Sequence, residues 1–204
     1  MEDRLQKGFT LIELIVAMAV AGVLLGVAVP SFVQVLKDGR LSSDATCLNL
    51  SLFAARSEAV KRSGDVTVCP YGSAAQCGSD WTKGVLVFTE GAGVARTPTL
   101  DTASVDATST VIRSCPPFHE DFSIAAIASS DRSVSTAQSR EFIRFTRDGT
   151  SNWNLGYFAI CDDREANGWK GINVGLSGDI RPSRLHPDDD AVTDAFNRKI
   201  TSCR

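Results

Sequence analysis

The chain of 204 residues has only two histidines, His119 and His186, and neither sits in a recognisable catalytic motif. It has no G-x-S-x-G segment, no H-E-x-x-H segment and no P-loop. No catalytic constellation is therefore encoded, no cofactor is expected, and energy for any assembly process has to come from a separate ATPase. None of the six cysteines forms a C-x-x-C pair, which with so few histidines argues against a tetrahedral zinc site. A basic excess is also missing. Lys and Arg number 21 against 24 Asp and Glu, a net charge of −3, which argues against a nucleic-acid-coating surface but leaves room for a local patch.

Charge is nearly absent from one long stretch. From Phe9 to Val29, 21 residues carry a single formal charge, Glu13. As a helix this run is about 31 Å long, close to the hydrocarbon thickness of a bilayer. It exceeds the usual core of a cleaved secretory signal, and neither a signal nor a plain anchor explains a carboxylate inside it. A charge at the centre of a membrane helix costs on the order of 3 kcal/mol, less near an end, and normally has a partner. A cut between Gly8 and Phe9 creates one: a new α-amino group four residues before Glu13, one helical turn away on the same face. In an assembly that amine can meet the Glu13 of a neighbouring helix and set the axial register.

A short charged leader ending in Lys7-Gly8, then "FTLIEL" and an apolar run to Pro30, resembles the N-terminus of type IV pilins and type II secretion pseudopilins. The resemblance implies cleavage after Gly8 by a prepilin peptidase, N-methylation of Phe9, and use of Glu13 in pairing between subunits. Gly22, Gly26 and Pro30 recur at four-residue intervals and make this the weakest part of the helix. Close packing of neighbouring helices accounts for small residues here, and the pilin resemblance adds a section that stretches or melts in a filament.

Beyond Pro30, Leu41, Ala45, Leu48, Leu52, Ala55 and Ala59 form one apolar stripe at helical spacing, and Ser63-Gly64 is the stop signal. From Phe9 to Arg62 such a helix spans about 80 Å. The rest reads as strands: 66–69, 84–88, 110–115, 122–128, 140–146, 155–161 and 171–177. The expected fold is α+β and pilin-like, with a long N-terminal helix on a C-terminal antiparallel sheet. Its parts are a leader (1–8), a membrane and assembly half of the helix (9–30), an amphipathic half (31–63) and a periplasmic β-rich domain (64–204).

Six cysteines permit 15 full pairings. Disulfides in an oxidising compartment fit them better than buried thiols. Cys69 with Cys77 is the natural local bridge, because Pro70 and Gly72 turn the chain between them. Cys161 with Cys203 would pin the C-terminus, which leaves Cys47 with Cys115. Two clusters read as solvated chain. His119, Glu120 and Asp121 follow Pro116-Pro117, and Asp188 to Asp190 with Asp194 lack the spacing of a calcium loop and lead towards a short helix over 191–200.

"LNLSLFAARSEAVKRSGDVTVC", "WTKGVLVF", "IRFTRDGTS" and "GINVGLSGDIRPSR" resemble, in that order, the FimU, FimT and GspH group of minor pilins and pseudopilins. This implies a structural, non-enzymatic subunit of the inner membrane with its C-terminal domain in the periplasm. The implied partners are other minor pilins or pseudopilins, the major pilin, prepilin peptidase, the assembly platform and membrane lipid. The alternative is a FimT-like pilin that binds DNA, with Arg181 and Arg184 on the phosphates. That pattern departs here, because Asp179 occupies the first arginine position.

Overall fold

The computed structural model describes residues 9–72, 76–89, 110–120, 122–128, 142–151, 156–164, 168–185, 187–188, 192–193, 199–200 and 203. One helix, α1, covers Leu11–Arg62. The chain divides into two compact units, Met1–Gly39 and Arg40–Arg204.

In the first unit the described chain is helical from Leu11, and its large apolar side chains face outward without a protein neighbour to bury them. By length and composition α1 contains a segment able to cross a membrane. The helix passes through Pro30. That residue has no N–H to give the Gly26 carbonyl one turn back, so a backbone hydrogen bond is missing there.

In the second unit the remainder of α1 buries the stripe foreseen from its spacing. Leu41, Leu48, Leu52, Ala55 and Ala59 are fully buried, and Ala45 packs against the same core. The helix ends where Ser63-Gly64 signals. Ser63 takes a left-handed φ of 51°, its N–H donates to Val60 O (3.3 Å), and the Gly64 N–H donates to Ala59 O (3.2 Å). These two bonds form a Schellman cap that satisfies carbonyls otherwise left open at the helix end.

Eight strands follow: β1 (Val66–Pro70), β2 (Val85–Thr89), β3 (Val111–Cys115), β4 (Ser123–Ala128), β5 (Ile143–Phe145), β6 (Gly156–Cys161), β7 (Lys170–Val174) and β8 (Ile180–Pro182). The antiparallel sheet expected from the sequence is divided in two, with strand orders β3-β2-β1-β5 and β4-β6-β7-β8. Alternation along the strands sends Val66, Val68, Val85, Val87, Ile143 and Phe145 of the first sheet into one core with the helix stripe. Phe158, Ile160, Ile172 and Val174 of the second sheet join them. Trp81, in a 3-10 turn at Trp81–Lys83, meets Phe158 edge-on with ring centroids 4.9 Å apart.

Three expectations change. The strand read over 171–177 ends at Val174, because Gly175 to Asp179 turns the chain into β8, a strand the periodicity did not reveal. The strand over 140–146 is reduced to Ile143–Phe145 among the described residues. The short helix expected over 191–200 is replaced, where the chain is described, by extended bridges of Leu185 with Val192 and Thr193 with Lys199. Val192 and Ile200 cover the outer face of the second sheet with Tyr157, Ala159 and Cys161, so burial on the sheet overrides local helix propensity.

Disulfides join Cys47 to Cys115, Cys69 to Cys77 and Cys161 to Cys203. The first ties α1 to the edge strand β3, the second closes the loop after β1, and the third fastens the tail to β6.

Candidate functional site

Two places hold the residues singled out by the sequence, one in each unit. In the first unit, Gly8 lies outside the described residues, and Phe9 is 86% exposed just ahead of α1. Glu13 stands in the first turn of the helix and is exposed. Its N–H donates to Thr10 Oγ1 (3.3 Å). Thr10 is therefore the helix cap, a residue the functional reading passed over although T-x-x-E is a capping-box signature. The placement bears on why a carboxylate is tolerated here. The unpaired N–H groups of the first turn favour an anion by roughly 0.3–1 kcal/mol, which offsets part of its burial cost. Among apolar neighbours such as Leu11, Ile12, Leu14 and Ile15, all outward-facing, Glu13 is the only formal charge between Lys7 and Lys37.

In the second unit, Arg56 of α1 reaches two turns at once. Its Nε donates to Gly149 O (3.1 Å) and its Nη2 to Ser177 O (3.2 Å). The first carbonyl belongs to the turn after β5 and the second to the turn between β7 and β8, so one guanidinium ties the helix to both sheets. Gly149 and Gly178 have positive φ angles of 78° and 73°. A Cβ at Gly178 would collide with the Gly149 carbonyl, so glycine is required where the two turns cross.

Asp179 and Arg181 leave this crossing. Arg181 Nε lies 3.0 Å from Asp179 Oδ2, and Asp179 Oδ1 accepts the Ser177 hydroxyl. That hydroxyl, and then the charge of Arg181, holds the Asp179 carboxyl below its ordinary value, so it is ionised at neutral pH. The guanidinium proposed to meet phosphate thus already faces a carboxylate. Arg184 is exposed two residues past β8.

Of the His119, Glu120 and Asp121 cluster, Asp121 lies outside the described residues, and the contacts of His119 run to the helix instead. The His119 N–H donates to Asp44 Oδ2 (3.1 Å) and its Nδ1 lies 3.0 Å from the same oxygen, which fixes the loop after β3 to α1. The side chains of Asp189, Asp190 and Asp194 lie outside the described residues. Among the described residues no group of three His, Cys, Asp or Glu is placed to hold a metal ion.

Residues 3–29 match the prokaryotic N-terminal methylation motif. Residues 44–178, well over half of the chain, match the family of type II transport protein GspH. The chain belongs to the GspH family. Its members are structural subunits of the pilin and pseudopilin class, not enzymes, and they assemble with other pilins in a filament. The methylation motif on an outward-facing apolar helix is that of a membrane-anchored pilin. In fold the chain is similar to the type IV minor pilin FimU of Pseudomonas aeruginosa. One crystal structure matches with TM-score 0.51 at 20% identity, over 82% of this chain and 98% of that one. A second crystal form gives 0.49 at 21% identity, over 80% and 100%. At this identity the likeness establishes the fold. None of the curated proteins matches the chain. The FimU match and the family assignment agree with the α+β reading of the sequence.

Proposed function

We propose that this GspH-family subunit is a minor pilin that primes or caps a type IV filament after processing by a prepilin peptidase. The peptidase cleaves between Gly8 and Phe9, and the new Phe9 amine is methylated. Residues 9–30 then hold the subunit in the inner membrane, with 31–204 in the periplasm, until the assembly platform moves it into the filament. There Glu13 pairs with the Phe9 amine of a neighbouring subunit. The observation that carries this reading is the placement of Glu13, the sole charge of an outward-facing apolar run, one turn from the amine that cleavage would release. The missing hydrogen bond at Pro30, with glycines at Gly22 and Gly26, supports a segment that lengthens as the helix leaves the bilayer. The Asp179–Arg181 ion pair leaves the DNA-binding alternative without an observation in its favour.

N-terminal mass spectrometry of the protein from its native membrane tests the processing step. The expected first residue is Phe9, one methyl group heavier than unmodified phenylalanine. An N-terminus at Met1, or a cut at any other bond, overturns the proposal.

A further inference from the structure

Beside the Cys69–Cys77 bridge a cleft of about 530 Å³ is lined by Tyr71, Asp80, Lys83, Pro117 and two glycines, Gly72 and Gly78, with Ser79 at the same wall. This volume falls within the roughly 300–1,000 Å³ of small-molecule sites. Main-chain bonds pin the walls. Tyr71 N–H donates to Gly84 O (2.9 Å), Gly78 N–H to Pro70 O (2.8 Å) and Phe118 N–H to Thr82 O (2.9 Å). A Cβ at Gly72 would stand 2.8 Å from Gln76 O, and one at Gly78 3.1 Å from Tyr71 O, so these positions admit no larger residue without a shift.

The polar groups of the lining have capacity to spare. Asp80 Oδ1 is taken by the Thr82 N–H (2.9 Å) and hydroxyl (2.7 Å). The Thr82 hydroxyl is the main reason that the Asp80 carboxyl is held below its ordinary value. Its Oδ2, the Tyr71 hydroxyl and the Lys83 ammonium make no hydrogen bond among the described residues, and the Lys83 charge also acts on the Asp80 carboxyl from within the cleft. One acid and one base balance in charge, which gives a polyanion no advantage. The lining has no Leu, Ile, Val or Met, so nothing is shaped to anchor an aliphatic peptide side chain. A ligand rich in hydroxyl groups uses donors and acceptors of both kinds, and its C–H faces pack on tyrosine and proline rings.

We propose that this cleft binds a short neutral oligosaccharide, with Asp80 Oδ2 accepting from sugar hydroxyls, Lys83 donating to them and Tyr71 packing on a ring. Saturation-transfer NMR tests it on the full-length protein in a detergent without a sugar headgroup, with chitotriose, maltotriose and mannotriose as probes. The expected result is transfer to the ring protons of at least one trisaccharide. Tyr71→Ala should abolish it, Lys83→Ala should weaken affinity about tenfold, and Arg181→Ala should leave it unchanged. Circular dichroism separates lost binding from lost folding, and Tyr71→Phe, which keeps the ring, should retain partial binding. No transfer to any of the three probes overturns the proposal. So does transfer that survives Tyr71→Ala in the folded variant, or displacement of the sugar by a tripeptide at lower concentration.

Discussion

Replacing Cys47 and Cys115 together by serine measures how far the helix depends on its covalent tie to the first sheet. The two positions are 68 residues apart, and on the chain-entropy model closing such a loop contributes about 4 kcal/mol. The Cys69–Cys77 bridge, with a separation of 8, contributes about 2.5 kcal/mol by the same relation. Packing adds to the first value, since Cys115 is buried and the Ser51 hydroxyl lies 3.2 Å from its sulfur. For a domain of this size each kcal/mol shifts Tm by about 2–4 °C. The Cys47/Cys115 double variant should therefore melt about 8–16 °C lower, and the Cys69/Cys77 double variant about 5–10 °C lower. Thermal circular dichroism of the full-length protein in detergent, under non-reducing conditions, reads both. A larger loss for the short loop, or no measurable loss for the long one, would refute the reasoning.

Other expectations follow from the same geometry. Ser63→Gly relieves a left-handed residue at the end of α1 and should stabilise the fold by about 0.5–1 kcal/mol in chemical denaturation. Arg56→Met removes charge-assisted bonds to Gly149 O and Ser177 O and should cost about 2–3 kcal/mol, with faster amide exchange in both turns. Arg56→Lys should recover little, because a single ammonium does not reproduce the guanidinium fork. The depressed carboxyls of Asp80, Asp148 and Asp179 contribute stability that is complete above their ordinary value of 3.8 and is lost as pH falls through their lower folded values. Acid unfolding should accordingly steepen below about pH 3.8, and Asp179→Asn should reduce that slope.

What the sequence made legible was local. The stripe from Leu41 to Ala59 and the Ser63-Gly64 stop were readable because helical period and cap chemistry lie within a few residues of each other. The strand cores were readable for the same reason. Strand order was not. β5 pairs with β1 across more than 70 residues, and no local pattern states that Val66 faces Phe145. Nor does any pattern announce that Arg56 spans two turns or that Asp44 holds His119, since both depend on chain brought together by the fold. β8 escaped notice because its three residues are too few for an alternation to register. In the N-terminal segment the situation differs: the methylation motif that contains Gly8, Phe9 and Glu13 is defined by local spacing, so it was visible in the sequence, and the fold adds the Thr10 cap.

Glu13→Leu provides the most direct test of the account. The substitution removes the charge and keeps the apolar run, so the subunit should still insert into the membrane and be cleaved before Phe9. Fractionation of cells into membrane and sheared filaments, with detection of this subunit in each, reads the outcome. The account predicts normal membrane levels and loss from the filament fraction. Normal incorporation of the Glu13→Leu subunit would contradict it.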